Sequence, residues 1–226
     1  MEGFWIQLLA VLTLLTLTCS ASDTPELIRA VGGNVTFRSP DTDTGGNNVF
    51  WNFGNIPIVT VSFKDPSQSR FSKECETRCI VSKSGRALRI TRLRMEDAGT
   101  YSVNINGNIF TFTLQVYREL PEPTVTCAAQ DCLDSICLLS LLCSVSGDGF
   151  GDISYTWTVW GQQWERQSVE FPVKKSSLDE PGLLMCTAQN AVSHRNVTVT
   201  NLRGLCPGES RGQGMFWIFP QLPGTG

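Results

Sequence analysis

Cys143 opens a stretch that runs through Ile153-Ser154-Tyr155-Thr156-Trp157 and closes on Cys186-Thr187-Ala188-Gln189-Asn190. The tryptophan comes fourteen residues after the first cysteine, and the second cysteine twenty-nine residues after the tryptophan. This order suits two β-sheets tied through a common core by one disulfide, with the indole packed on the bridge. The short gap between the cysteines leaves little room for extra strands, so a constant-like strand set is predicted.

Outward from this stretch the chain keeps the texture of short strands. Past residue 22 there is almost no helical periodicity. Apolar residues alternate with polar ones at Val35 and Phe37; at Val49, Trp51 and Phe53; at Leu88 and Ile90; at Tyr101, Val103 and Ile105; and at Phe110, Phe112, Leu114 and Val116. Gly, Asn, Asp, Ser and Pro break the runs, as in an antiparallel sandwich. The first half carries the same skeleton without a bridge. Asp97-Ala98-Gly99-Thr100-Tyr101 fits the tyrosine corner that opens strand F of an immunoglobulin-like domain. Two residues beyond the tyrosine, where that fold places cysteine, stands Val103, and the other half of the bridge falls at Ser39, twelve residues before Trp51. Arg78, nineteen residues before Asp97, is spaced for an ion pair between strand D and the E–F turn. The predicted fold is therefore all-β: two tandem immunoglobulin-like sandwiches, a variable-like one without the inter-sheet disulfide and a constant-like one with disulfides. Loss of such a bridge typically costs about 2–5 kcal/mol. Apolar burial of Trp51, Phe53, Val103, Phe112 and Leu114 is expected to offset it.

Domain limits follow from composition. Leu8 to Leu17 is apolar except at Thr13 and Thr16 and runs into the small residues Cys19 to Ser22. Residues 1–22 read as a signal peptide, although Glu2 and no Lys or Arg stands ahead of the apolar run. A buried apolar helix is the alternative. Arg118-Glu119-Leu120-Pro121-Glu122-Pro123 reads as a stiff polar boundary, giving a variable-like domain over 23–119 and a C2-like domain over 120–206. Residues 207–226 are rich in Gly and Pro, with one apolar cluster at Met215 to Phe219, and are expected to be a disordered tail. No later apolar run approaches the roughly 20 residues of a membrane span or the roughly 10–20 of a lipid-anchor tail. Secretion is thus expected for this chain, and a cell-surface location for longer forms.

Composition excludes several functions. The 226 residues carry 18 Lys+Arg against 21 Asp+Glu, a net charge of −3, and so lack the basic balance expected of nucleic-acid binding. With Cys19 removed, eight cysteines remain: Cys75, Cys79, Cys127, Cys132, Cys137, Cys143, Cys186 and Cys206. An even number in a secreted chain reads as disulfides. Zinc is the alternative for the crowded Cys127–Cys143 group, but its gaps contain no C-x2-C pair and the chain has one histidine, His194. No phosphate loop, nucleotide fingerprint or redox C-x-x-C pair appears. His194 has no defensible nucleophile beside it and reads as a surface residue. No catalytic residue, metal ligand, cofactor or small-molecule substrate is expected.

Several stretches resemble the SLAM (signalling lymphocytic activation molecule) family of leukocyte receptors. They are Leu88-Arg89-Ile90-Thr91-Arg92-Leu93-Arg94-Met95-Glu96-Asp97, Cys137-Leu138-Leu139-Ser140-Leu141-Leu142-Cys143 with its doubled cysteine, Ile153 to Trp157, and Cys186-Thr187-Ala188-Gln189-Asn190-Ala191-Val192-Ser193. The resemblance covers roughly residues 23 to 206. It implies Cys137–Cys206 as a second bridge beside Cys143–Cys186, which leaves Cys127 and Cys132 to close a small loop together. Cys75 and Cys79 form either a local bridge or, with Cys79 turned inward, a buried free thiol. These four cysteines are additional to the family's usual second-domain pairs.

The functional candidate is the front sheet of the first domain. With Val49, Trp51 and Phe53 inward, strand alternation turns Phe50 and Asn52 outward. By the same parity Ser102 and Asn104 face out on strand F, and Thr111 and Thr113 on strand G. This nearly uncharged face with one aromatic suits a reversible protein contact; a plain solvated face is the alternative. The resemblance implies a protein partner: recognition of itself or of a related immunoglobulin-superfamily receptor on another cell. A soluble form that blocks such a receptor as a decoy is the second expectation. Asn34-Val35-Thr36 and Asn196-Val197-Thr198 are N-glycosylation acceptors, against the alternative of chance occurrence. Trp160 and Trp164 suggest either hairpin packing or an aromatic carbohydrate platform, and packing is the stronger reading.

Overall fold

The structure, a computed structural model, describes residues 24–40, 48–64 and 68–206. The expectations of a signal peptide at 1–22 and a disordered tail at 207–226 lie outside the described residues. The chain divides after Tyr117 into two compact units.

In unit 1 the strands are β1 (Glu26–Ala30), β2 (Asn34–Arg38), β3 (Asn48–Phe53), β4 (Ile56–Ser62), β5 (Gln68–Phe71), β6 (Cys79–Val81), β7 (Ala87–Thr91), β8 (Gly99–Ile105) and β9 (Asn108–Tyr117). Among the described residues they form a six-stranded sheet in the order β1-β9-β8-β3-β4-β5 and a three-stranded sheet in the order β2-β7-β6. β1 runs parallel to β9, and the remaining pairs are antiparallel. The two sheets enclose a core built by period-2 alternation, with Val35, Phe37, Trp51, Leu88, Val103 and Leu114 all buried.

This core explains how the unit holds without an inter-sheet disulfide. β2 ends at Arg38, so Ser39 lies just past the strand, with its N–H donating to Arg86 O at 3.0 Å. The space between the sheets is filled instead by Phe37. Its ring stacks on Tyr101 at 4.5 Å and lies 5.3 Å from Phe112, while Trp51 stacks on Phe112 at 6.1 Å. Trp51 Nε1 donates to Gly85 O at 2.8 Å, so the buried indole leaves no polar atom unpaired. Burial of each such ring contributes about 1.5–3 kcal/mol, the same order as the missing bridge.

Unit 2 contains β10 (Thr124–Leu133), β11 (Ile136–Ser144), β12 (Ser154–Val159), β13 (Gln162–Glu165), β14 (Ser168–Lys174), β15 (Leu184–Gln189), β16 (His194–Thr198) and the short helix α1 (Leu202–Leu205). Its sheets run β10-β11-β14 and β13-β12-β15-β16. Cys143 of β11 joins Cys186 of β15 across the sheets. Trp157 stands directly opposite Cys186 in the β12–β15 register, fully buried, with Nε1 donating to Gln167 O at 3.1 Å.

Two disulfides differ from the family-implied pairing. Cys127 joins Cys206, and Cys132 joins Cys137. Cys127 and Cys132 sit on one extended strand, five residues apart, which separates them by about 16 Å, far beyond disulfide reach. A bulge between Cys127 and Ala129 shifts strand parity. Both cysteines therefore point to the core side although their spacing is odd. Cys132 then lies directly opposite Cys137 in the β10–β11 hairpin. Cys206 follows α1, which is held by Leu202 N–H donating to Leu178 O at 2.8 Å and is capped by Asn201 Oδ1, accepting from Gly204 N–H. That placement brings Cys206 to Cys127.

The boundary segment is less polar in the fold than in the sequence. Leu120 is buried against Phe150 and Ala188. Asn190 Nδ2 donates to Arg118 O and Phe150 O at 2.9 and 3.0 Å, and Leu120 N–H donates to Ser193 Oγ at 2.8 Å. Arg118 and Glu119, assigned to the first domain from sequence, thus follow the division after Tyr117 into unit 2.

Candidate functional site

The outward residues of the six-stranded sheet fall into rows fixed by register. Phe50 of β3 lies between Thr60 of β4 and Asn104 of β8, Thr60 pairs with Arg70 of β5, and Asn104 pairs with Ile109 of β9. The row Arg70–Thr60–Phe50–Asn104–Ile109 therefore crosses five strands. A second row holds Asn52, Ser102 and Thr111, with Asn52 Nδ2 donating to Ser102 Oγ at 3.4 Å. Thr113 pairs with Thr100 on one side and Glu26 on the other. The structure thus brings Phe50, Asn52, Ser102, Asn104, Thr111 and Thr113 onto one face.

Two apolar side chains stand out in the five-strand row. Phe50 is 39% exposed and Ile109 63%. Ile109 was missed from sequence, although its parity with inward Phe110 and Phe112 places it outward. It sits beside the β8–β9 turn, where Asn106 and Gly107 take φ of 54° and 89°, the left-handed pair of a tight hairpin. Gly107 N–H donates to Asn104 Oδ1 at 2.9 Å, fixing a side chain of the central row. At the β1 edge Gln115 Nε2 donates to the Glu26 carboxylate and Tyr117 donates its hydroxyl proton to Gln115.

The sheet is braced from beneath. Arg78 makes a two-pronged contact with Asp97, Nη1 to Oδ2 at 2.6 Å and Nη2 to Oδ1 at 2.9 Å. Asp97 Oδ2 also accepts Arg94 N–H at 2.8 Å, and Asp97 O accepts the Tyr101 hydroxyl at 2.8 Å. Hydrogen bonding to Asp97 raises the Arg78 pKa above its ordinary value. Burial, then the Asp97 charge, pushes the Tyr101 hydroxyl well above the ordinary tyrosine range. Gly99, at φ 148°, starts β8, and a Cβ there would meet the Phe53 ring at 2.8 Å. Beside it a cavity of about 310 Å³ is lined by Phe53, Ser72, Glu74, Arg78 and Asp97 among others, and within it Arg78 is paired with Asp97. Cys75 and Cys79 form a bridge on its wall, closed by one helical turn with Cys79 N–H donating to Cys75 O at 2.7 Å.

The other candidate residues lie apart. Asn34 is exposed on β2, at the edge of the opposite sheet of unit 1, and Asn196 is exposed on the edge strand β16 of unit 2. His194 is exposed at the start of β16. Trp160, in the β12–β13 turn at φ 50°, donates Nε1 to Pro181 O at 2.7 Å and packs edge-on against Phe171 at 5.6 Å. Trp164 lies against the unit 2 core opposite Trp157. Trp164 packs across the hairpin from Trp157, whereas the contacts of the half-exposed Trp160 run to Pro181 and Phe171 outside it. Among the described residues no group of three His, Cys, Asp or Glu lies together to hold a metal ion. No described helix is long and apolar enough to cross a membrane.

No family model matches the chain. Curated relatives do. SLAM family member 7 of Homo sapiens is 26% identical over 211 residues, 90% of this chain and 63% of the relative. T-lymphocyte surface antigen Ly-9 of Homo sapiens is 31% identical over 216 residues, 88% of this chain and 32% of the relative. The chain thus spans under two thirds of one and about a third of the other. Among solved structures, the CD2-binding domain of CD58 superposes with a TM-score of 0.53 at 17% identity, covering 78% of this chain and 96% of that one. That likeness supports the immunoglobulin-like fold. These sequence likenesses support a place for the chain in the SLAM family of the immunoglobulin superfamily.

Proposed function

We propose that the six-stranded sheet of unit 1 is a protein-recognition face, binding a second copy of this chain or a related immunoglobulin-superfamily receptor on another cell. One observation carries the reading: the cross-strand row Arg70–Thr60–Phe50–Asn104–Ile109 presents two exposed apolar side chains among small polar ones. A central aromatic inside a polar surround is the usual anatomy of a contact whose affinity rests on few residues. The low charge of the row favours weak, reversible association over steered, tight association. The Asn34 acceptor stands on the opposite sheet, so a glycan there leaves the face open. The likeness to SLAM family members and the CD2-binding role of the CD58 domain, which shares the fold, support a protein ligand of the same superfamily.

The test is a bead assay. Beads coated with the full secreted chain are mixed with beads carrying the same chain or ectodomains of SLAM-family proteins. Aggregation or capture with at least one of these supports the reading. Failure with all of them, with the protein shown folded by circular dichroism, contradicts it.

A further inference from the structure

Unit 2 has an apolar surface of its own. On the outer face of the β10-β11-β14 sheet, Leu133 stands opposite Ile136, and Ile136 opposite Lys174. In the adjacent row on the same face, Asp131 stands opposite Leu138, and Leu138 opposite Pro172. Leu133 is 79% exposed, Ile136 52% and Leu138 50%. Asp134 completes the lining of the groove between them. Three large apolar side chains contiguous in register are more than the scattered exposure normal for a surface.

We propose that this face is the docking surface for the chain's own segment Met215-Phe216-Trp217-Ile218-Phe219. The geometry of the tether is the first argument. The chain leaves unit 2 at Cys206, whose disulfide holds it 5.3 Å, Cα to Cα, from Cys127 on β10. From Cys127 to Leu133 along the strand is about 20 Å. Eight residues separate Cys206 from Met215, and the nine Cα–Cα steps span about 30 Å at full extension. The length of chain therefore suffices for the apolar cluster to reach the patch with slack to round the sheet edge.

Chemistry is the second argument. Five consecutive large apolar residues match the apolar row, and Arg211, four residues ahead of Met215, is complementary to Asp131 and Asp134 at the groove. Competition is the third. A short tether holds the segment at an effective concentration in the millimolar range, so it outcompetes a second copy of the chain at micromolar concentration.

The experiment compares the full chain with a full-length variant carrying Phe216→Ser, Trp217→Ser and Ile218→Ser, by methyl NMR of Leu133, Ile136 and Leu138. The expected result is a shift of those methyls in the variant, with wild-type positions unchanged on tenfold dilution and a monomer in sedimentation. Unshifted methyls, or shifts confined to Leu183 near Trp160, overturn the proposal. Wild-type positions that move on dilution alongside a dimer overturn it in favour of a second copy. A second variant, Leu133→Lys with Ile136→Lys, keeps the fold because both sites are exposed. It is expected to raise trypsin cleavage after Arg211 at least fivefold, and an unchanged rate counts against docking.

Discussion

Arg78 and Asp97, nineteen residues apart in sequence, meet through two hydrogen bonds at 2.6 and 2.9 Å, with both side chains about nine-tenths buried. The pair joins the turn entering β6 to the turn entering β8, and the backbone carbonyl of the same Asp97 anchors Tyr101. It thereby fixes the start of β8, which carries Ser102 and Asn104 to the front face.

Replacing Asp97 with Asn leaves the Arg78 guanidinium buried without a counter-charge. Breaking such a pair costs about 3–5 kcal/mol. Because a domain of this size loses roughly 4–8 °C per kcal/mol, the melting of unit 1 is expected to fall by at least about 10 °C in calorimetry. A melting temperature unchanged within about 2 °C would show that the pair contributes no stability.

Tyr101 gives a pH dependence of defined sign. Its pKa in the fold is raised above the ordinary 10.0, so the folded state holds the proton more tightly than the unfolded chain. Its contribution is fully present below about pH 10 and is lost as pH rises from there toward the folded value. Urea titrations at pH 8 and above pH 10 are expected to show falling stability for the wild type. In Tyr101→Phe that alkaline slope should be reduced. The variant should also lose about 0.5–1.5 kcal/mol at pH 8 for the missing hydrogen bond to Asp97 O. An identical alkaline slope in both proteins would assign the effect to other groups.

The disulfide pairing is directly testable. Non-reducing peptide mapping is expected to recover Cys127 linked to Cys206 and Cys132 linked to Cys137, beside Cys143–Cys186 and Cys75–Cys79. Recovery of a Cys137–Cys206 peptide would return the chain to the pairing implied by the family resemblance.

Much of the architecture was readable in the residues, for physical reasons. Cys143, Trp157 and Cys186 mark an inter-sheet core by spacing alone. Asp97 to Tyr101 marks the corner, because Gly99 is required where a side chain would strike Phe53. The pairing implied by the family resemblance, Cys137–Cys206 with Cys127–Cys132, is not the one the fold makes. The bulge after Cys127 reverses strand parity, and sequence spacing carries no sign of it. On the front face, Phe50, Asn52, Ser102, Asn104, Thr111 and Thr113 could be placed because their neighbours alternate cleanly. Thr60 and Arg70 could not. β4 reads Ile56-Pro57-Ile58-Val59-Thr60-Val61, nearly continuous apolar, and the register shift between Trp51 and Asn52 breaks the parity that would orient it. Phe37 was recognised as apolar, but its place between the sheets, where an inter-sheet bridge would otherwise lie, follows only from the end of β2 at Arg38.

The central claim is that recognition runs through the front face of unit 1, and Phe50→Asp tests it most directly. The side chain is outward and partly exposed, so the variant is expected to keep the wild-type circular dichroism spectrum and melting temperature. Surface plasmon resonance against the partner found in the bead assay is expected to show at least a tenfold rise in Kd, the loss of about 1.4 kcal/mol or more from a central anchor. A folded Phe50→Asp protein that binds with wild-type affinity would contradict the account.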